Sequence, residues 1–420
     1  MPAERNPSIP AVPAWGVDQL DSALPPEPEA PYFDPNLNAW VLSRHADILA
    51  AFRASSLFPA SSNSTKPAQP MPACDHLKMR AETTEALPAA RINAWRKELL
   101  PEAEALAASL PVETPVELLE AYARPLCLSL AATVTGISLD LAHQLYETAA
   151  KVSATAAEPF DLEAHRIADL ADEELKPHFH TGPESLRDSS FVALSQTMPC
   201  ILGNAWYALT QHPEAWKLLH GRPELIDHAV EELLRYAGLV RILGRMAQAD
   251  IDLNGTTIRK GQRIILRILA GNRDPERFSN PNQVEIARRD GGHLSLGAGG
   301  HACVGASLIR MAAATVTGPL VRRFALAAPA QPVEWQGGSG FRSPAALWVS
   351  LSIRFLLSAA PLLGAFDMEF QVASLRPIEP RSVSLFPVNK LRCRLNMSVL
   401  RACIMNQLCY SFIRLCERPV

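Results

Sequence analysis

Between residue 76 and about residue 240, apolar residues recur at three- and four-residue spacing, as in "LLEAYARPLCLSLAATVTGI", "LAHQLYETAAKV" and "AHRIADLADEELKPHF". That period predicts a run of helices, each with one buried face. Two other stretches read differently. "AWVLSRHADILAAFRAS" predicts a short strand followed by a helix, and "AQADIDLNGTTIRKGQRIILRIL" alternates about Asn254-Gly255, as a small β-hairpin does. A long helical pattern, "VGASLIRMAAATVTGPLVRRF", follows near residue 304. Residues 1–36, rich in proline, predict an irregular lead-in, and residues 54–75, rich in Ser, Pro and Asn, predict a loop. No internal repeat is visible. The fold expected is mainly α with a small β lobe.

Composition narrows the function. The chain has 420 residues, 48% of them hydrophobic, and a net charge of −3, which favours neither nucleic acid nor an anionic membrane. The first residues carry no basic run followed by an apolar one, and no apolar run is long enough for a membrane span. A soluble, cytoplasmic protein is expected. Eight cysteines without paired spacing exclude a disulfide framework and a closed zinc site. Residues 353–420 differ from the rest, with nine Lys/Arg against four Asp/Glu and four of the eight cysteines. Their periodicity is poor, and a disordered or out-of-frame tail is expected. The organisation is thus a lead-in (1–36), a principal domain (37–352) and an atypical tail (353–420).

Chemistry concentrates in "HLSLGAGGHACVGA", residues 293–306. Gly297, Gly299 and Gly300 give a backbone that tolerates φ > 0 and lets a flat ligand lie close. Cys303 falls where the last long helix begins, so unpaired N–H groups and the helix dipole are expected to lower its pKa and favour the thiolate. A buried structural thiol is the plain alternative. The stretch resembles the heme-binding loop of the bacterial cytochrome P-450 superfamily, Phe-Gly-x-Gly-x-His-x-Cys-x-Gly. Gly297, Gly299, His301, Cys303 and Gly305 match in register, and Leu296 replaces the usual Phe.

The resemblance extends over about residues 30–352 and implies further roles. Cys303 would be the proximal iron ligand of heme b. His76 and Arg80 of "DHLKMR", together with Arg245 and His301, would hold the heme propionates; without the resemblance, "DHLKMR" is a solvated basic turn. Glu232 and Arg235 of "AVEELLRY" match the family's Glu-x-x-Arg pair, and Arg288 of "NRDPERFSNPNQVEIAR" would complete a buried network behind the heme. Periodicity alone favours an exposed ion pair there, with Arg235 opposite the apolar face.

The distal helix departs from the family. "FVALSQTMPCILGNAWYALTQHPEAW" aligns through "ILGN" and "HPE", but the usual Ala-Gly-x-Asp/Glu-Thr-Thr reads Ala193, Leu194, Ser195, Gln196, Thr197, Met198. Thr197 and Gln196 are the candidate catalytic residues, although Thr197 read alone is an ordinary mid-helix threonine. Gln196 cannot titrate, so it can orient a water but cannot relay a proton as an acid would. Pro199 removes one helical N–H and predicts a local kink. The segment ahead of this helix is also shorter than in the family. Ala193, Leu194, Val240, Ile242 and Leu243 are expected to line an apolar substrate pocket.

The resemblance therefore implies a monooxygenase of secondary metabolism or catabolism. It would insert one oxygen atom from dioxygen into a small apolar molecule, with electrons from NAD(P)H through a ferredoxin and its reductase. A heme-thiolate peroxygenase, isomerase or dehydratase is the alternative that Gln196 suggests. A non-catalytic heme-binding protein or inactive product is the one that the tail suggests.

Overall fold

The computed structural model describes residues 29–54, 56–59, 73–159, 161–179, 186 and 188–354. Residues 1–357 form one unit of the chain and 358–420 another, the latter outside the described residues.

The chain enters a β lobe through β1 (Tyr32–Asp34) and β2 (Ala39–Leu42), followed by α1 (His45–Arg53) and β3 (Leu57–Pro59). Two sequence expectations are corrected here. The proline-rich lead-in ends in a strand, because Tyr32–Asp34 pairs antiparallel with β2, and the supposed loop 54–75 contains β3, which pairs with the strand 242–247. Composition marks Pro- and Ser-rich segments as irregular, but a three-residue strand needs only a partner edge.

The helical body then runs through α2 (Ala73–Glu85), α3 (Ala89–Ser109), β4 (Pro115–Glu117), a π turn (Leu119–Ala123), α4 (Arg124–Thr135), α5 (Leu139–Ala157) and α6 (Leu162–Leu175). Local chemistry sets these boundaries. Gly136 closes α4 at φ +74°, a left-handed position that costs glycine little. Ser138 and Asp161 cap α5 and α6 by accepting backbone N–H bonds from the first turn.

Next, α7 (Asp188–Val192), a π turn (Ala193–Thr197) and α8 (Met198–Gln211) follow one another without leaving helical backbone. Then come α9 (Pro213–Gly221) and α10 (Ile226–Tyr236). The chain returns to the β lobe with β5 (Ile242–Ala247), β6 (Ile251–Leu253), β7 (Thr256–Ile258) and β8 (Arg263–Arg267). β6 and β7 form the expected hairpin; Asn254 (φ +51°) and Gly255 (φ +85°) take the two left-handed positions of its turn. A short α11 (Ile268–Gly271), a long irregular segment and α12 (Ala306–Arg323) lead to β9 (Leu326–Pro329), β10 (Trp335–Gly337), β11 (Arg342–Pro344) and β12 (Trp348–Ser352).

The main sheet has the order β1-β2-β8-β5-β3, with β2 and β8 parallel; β4-β12-β9 form a second sheet. One large core joins α3, α4, α5, α8, α10 and α12 and contains the fully buried Trp206, Trp216 and Tyr122. Their polar atoms are satisfied: Trp206 donates to Thr317 Oγ1 (3.0 Å), Trp216 to the Phe324 carbonyl (2.8 Å) and Tyr122 to the Val316 carbonyl (2.9 Å). No single described helix is long and apolar enough to cross a membrane.

Candidate functional site

The Cys303 loop is built from backbone bonds and glycines. The Gly297 N–H donates to the Leu294 carbonyl (2.9 Å) and the Cys303 N–H to the Leu296 carbonyl (2.7 Å), folding 294–303 into a tight hook. Gly297 (φ +68°) and Gly299 (φ +66°) are left-handed, and a Cβ on Gly299 would come within 2.5 Å of the Phe52 carbonyl oxygen, so α1 leaves room there only for hydrogen. Gly305 has φ −78° and precedes α12 as its N-cap. Its N–H bonds the Cys303 sulfur.

Cys303 is exposed, at the mouth of α12. One expectation about it is corrected: its thiol pKa is pushed up, not down. Desolvation by the surrounding loop outweighs three opposing influences, the Gly305 N–H and the Arg310 and Arg80 guanidinium groups. The helix start is present, but sequence shows only the donors and not the crowding.

Arg80 reaches the same loop, donating through Nη1 to the Ala302 carbonyl (2.7 Å). Arg245 lies on β5, only 6% exposed, and has no acidic partner among the described residues. Nη1 donates to the Gly244 carbonyl (2.8 Å) and the guanidinium stands over the Phe52 ring. Burial alone pulls its pKa down to about 10. A buried cation without an anion is costly unless a ligand supplies the charge. The backbones of His76 and His301 fall on α2 and on the 3₁₀ turn Gly299–His301; their side chains lie outside the described residues.

On the distal helix, the bulge falls where Pro199 predicted a kink, as the π turn Ala193–Thr197 directly before α8. Ser195 back-bonds to the Phe191 carbonyl (2.8 Å), while the half-buried Thr197 hydroxyl makes no hydrogen bond to a described residue. The ordinary back-bonded threonine is therefore not what the structure shows. Gln196 Nε2 donates to the Tyr146 carbonyl on α5 (2.9 Å), which engages the amide with a helix backbone.

Two pocket expectations are corrected. Leu194 is 3% exposed and belongs to the main core, because only one face of the turn, with Ala193 exposed and Thr197 half-buried, turns outward from it. Ile242 packs with Leu37, Ala39, Val41 and Ile265 on the sheet face opposite Arg245, as strand alternation requires. Leu243 shares the Arg245 face and Val240 bridges to Phe341.

Behind the loop, the structure brings Glu232, Arg235 and Arg288 together. Arg235 forms a bidentate pair with Glu232 (both 2.8 Å), and Arg288 Nε reaches Glu232 Oε2 (2.9 Å). All three side chains are 2–3% exposed, so the exposed-pair alternative fails. Arg235 also donates to the carbonyls of Asn272, Pro281 and Gln283, which fasten the irregular segment to α10.

Sequence reasoning missed several residues. Asn272, fully buried, accepts from the Leu294 N–H (2.7 Å) and donates to Ser295 Oγ (2.8 Å), fixing the entry to the loop. It is also the C-cap residue of α11. Glu231 bridges Arg310 on α12 (2.5 and 3.1 Å) and faces His293 Nε2 at 3.4 Å. A cavity of about 480 Å³ adjoins it, lined also by Arg288, Asp290 and His228. No described cluster of His, Cys, Asp or Glu suits a metal ion on its own.

This helical body, with a glycine-built hook presenting one cysteine at a helix mouth and a buried arginine network behind it, defines the heme-thiolate class of fold. The family model described as Cytochrome P450 matches residues 220–341. Over 129 residues, 31% of the chain, it is 43% identical to the cytochrome P-450 CYP107DY1 of Priestia megaterium, of which it spans about a third (32%). Over a longer stretch, 67% of the chain and 83% of the relative, it is 26% identical to the linalool 8-monooxygenase of Pseudomonas putida. The crystal structure of P450BioI with an acyl carrier protein bearing hexadec-9Z-enoic acid superposes with a TM-score of 0.66 at 25% identity, covering 75% of this chain and 92% of that one. Over these stretches the chain is similar to bacterial members of the cytochrome P-450 superfamily, whose fold it shares.

The family implies heme, and the described residues fit it. The hook offers a soft sulfur donor, Gly299 leaves no room for a side chain against α1, and Arg245 offers an uncompensated charge for a carboxylate.

Proposed function

We propose that the protein is a heme-thiolate monooxygenase that inserts one oxygen atom from dioxygen into a small apolar organic substrate. The observation that carries this reading is the buried Arg245, which has no acidic partner among the described residues, together with the exposed Cys303 thiol at the mouth of α12. Cys303 would hold the iron, and the Gly305 N–H with Arg310 and Arg80 would offset the sulfur's negative charge. Arg245 and Arg80, with His76 and His301, would hold the propionates through charge-assisted bonds. Heme, when bound, supplies the reduction of dioxygen and the oxygen insertion itself. Thr197, whose hydroxyl has no hydrogen bond to a described residue, would donate a proton on the distal side. Ala193, Leu243 and Val240 supply apolar surface for the substrate.

The catalytic unit would be residues 37–352, and electrons would come from NAD(P)H through a ferredoxin and its reductase in the cytoplasm. The relatives' names range from linalool to vitamin D(3), which fits an apolar substrate class rather than one compound.

Gln196 favours a second reading, a peroxide-using heme-thiolate enzyme, because the amide cannot titrate where the family has an acid. Comparing turnover driven by NADH and a ferredoxin system with turnover driven by hydrogen peroxide decides between them. The primary test is the reduced, carbon-monoxide-bound absorption spectrum with Cys303→Ser as control. The wild type is expected to show the red-shifted Soret band of thiolate-ligated iron, and the variant to lose it. A histidine-type band in the wild type would overturn the ligand assignment.

A further inference from the structure

Four observations meet at the π turn. The Gln196 amide crosses to α5 and donates to the Tyr146 carbonyl at 2.9 Å. Pro199, at the start of α8, has no N–H to return to the carbonyls of the turn. The turn's own polar groups are satisfied locally: Ser195 by the Phe191 carbonyl, and the Gln196 carbonyl by Cys200 Sγ (3.3 Å). The next residue, Thr197, has no hydrogen bond to a described residue, so the backbone alone places its hydroxyl. A π turn is a strained interruption of a helix and persists where outside contacts hold it.

We infer that Gln196 is a positioning residue: its amide ties the π turn to α5 and so sets where the Thr197 hydroxyl lies, without holding or passing a proton itself. The chemistry of the bond explains the residue type. Tyr146 offers a carbonyl, an acceptor only, and an amide can always donate to it. An ionised carboxylate at 196 would set oxygen against oxygen and release the turn. Where relatives carry an acid, this chain carries a donor that works at every pH. The inference rests on the proposed heme-thiolate reading, since it assigns Thr197 the distal role.

The test uses the heme-loaded full chain and four variants: Gln196→Leu, Gln196→Glu, Thr197→Ala and the Gln196→Leu/Thr197→Ala double. Hydrogen exchange of a peptide covering 193–200 reports the tether directly. Gln196→Leu should speed it about five- to tenfold, the effect of losing one hydrogen bond. Gln196→Glu should match the wild type where its carboxyl is protonated and the Leu variant where it is ionised. This pH step is one that neither wild type nor Leu variant shows.

The second readout is the fraction of consumed dioxygen released as hydrogen peroxide, driven by NADH with a surrogate ferredoxin and reductase. Gln196→Leu should raise it to the Thr197→Ala level, and the double variant should rise no further, because both act through one hydroxyl. Additive effects, or unchanged exchange in the Leu variant, overturn the inference. Loss of the thiolate-type spectrum in the wild type instead overturns the functional reading. The exchange measurements, which need no turnover, still decide whether the tether exists.

Discussion

Arg245 is where stability and function pull apart most plainly. Its guanidinium is buried on β5 with the Phe52 ring beside it and no carboxylate among the described residues, and burial drags its pKa down to about 10. A group whose charged form is disfavoured in the fold costs stability at neutral pH, where it is charged in both folded and unfolded chains. Replacing such a charge by an apolar side chain of similar length is commonly neutral or stabilising by about 1 kcal/mol or more. Arg245→Met is therefore expected to leave the urea midpoint of the heme-free protein unchanged or higher. It should also speed heme release to an excess acceptor by about tenfold, the loss of one charge-assisted contact. Unchanged release would mean that no propionate sits on this residue. Cys303 shows the same tension: the loop that presents the sulfur also crowds it, so its pKa rises despite three favourable neighbours.

At the level of elements, two glutamates one residue apart on α10 divide the labour. Glu232 faces inward to Arg235 and Arg288, and Glu231 faces α12 and the start of the cysteine loop. The His293 ring and the Arg310 guanidinium draw the Glu231 carboxyl down to about 2, against partial burial. Its unfolded value is about 4.3, so the folded pKa is depressed and the pair stabilises the fold fully only above that value. The contribution is lost as pH falls from about 5 towards 2. Glu231→Gln should thus lower the urea midpoint at pH 7, with the gap to the wild type closing below pH 5; a constant gap would place the effect in packing instead of charge. The roles of the cysteine, the glycines and the Glu-x-x-Arg network were legible through the family resemblance, which rests on residue types at fixed spacing. What sequence could not carry was direction. Helical periodicity set Arg235 opposite the apolar face, yet it is buried, because the segment 272–288 wraps over that face and supplies carbonyls for it. Likewise Ile242 and Leu194 have the apolar character of pocket residues but face cores, since strand alternation and a π turn decide which side they take. Asn272 gave no signal at all, for a single asparagine acquires its role only when Leu294 and Ser295, more than twenty residues away, arrive beside it.

For the molecule as a whole, the question is where the functional body ends. Composition puts the boundary at residue 352, where the charge balance and periodicity change. β12 lies in the middle of its sheet between β4 and β9, with Val349 and Leu351 fully buried, so the chain cannot end before it. Beyond the strand, Ser352 Oγ accepts from the Arg354 N–H (3.2 Å) and donates to the Arg354 carbonyl (2.8 Å), a turn that terminates the sheet. A neighbour of known structure is matched over 92% of its length by 75% of this chain, so most of a body of this fold fits within three quarters of the chain. A chain stopped after Arg354 is therefore expected to accumulate as soluble, heme-loaded protein with the same carbon-monoxide spectrum as the full chain. A chain stopped after Pro344, which lacks β12, is expected to be insoluble or colourless, because removing two fully buried side chains from a central strand costs about 4–8 kcal/mol, comparable to the whole stability of a domain. If the chain ending at Arg354 also fails, residues 355–420 are part of what holds the body together, and the sharp change in composition there marks a functional extension, not a dispensable tail.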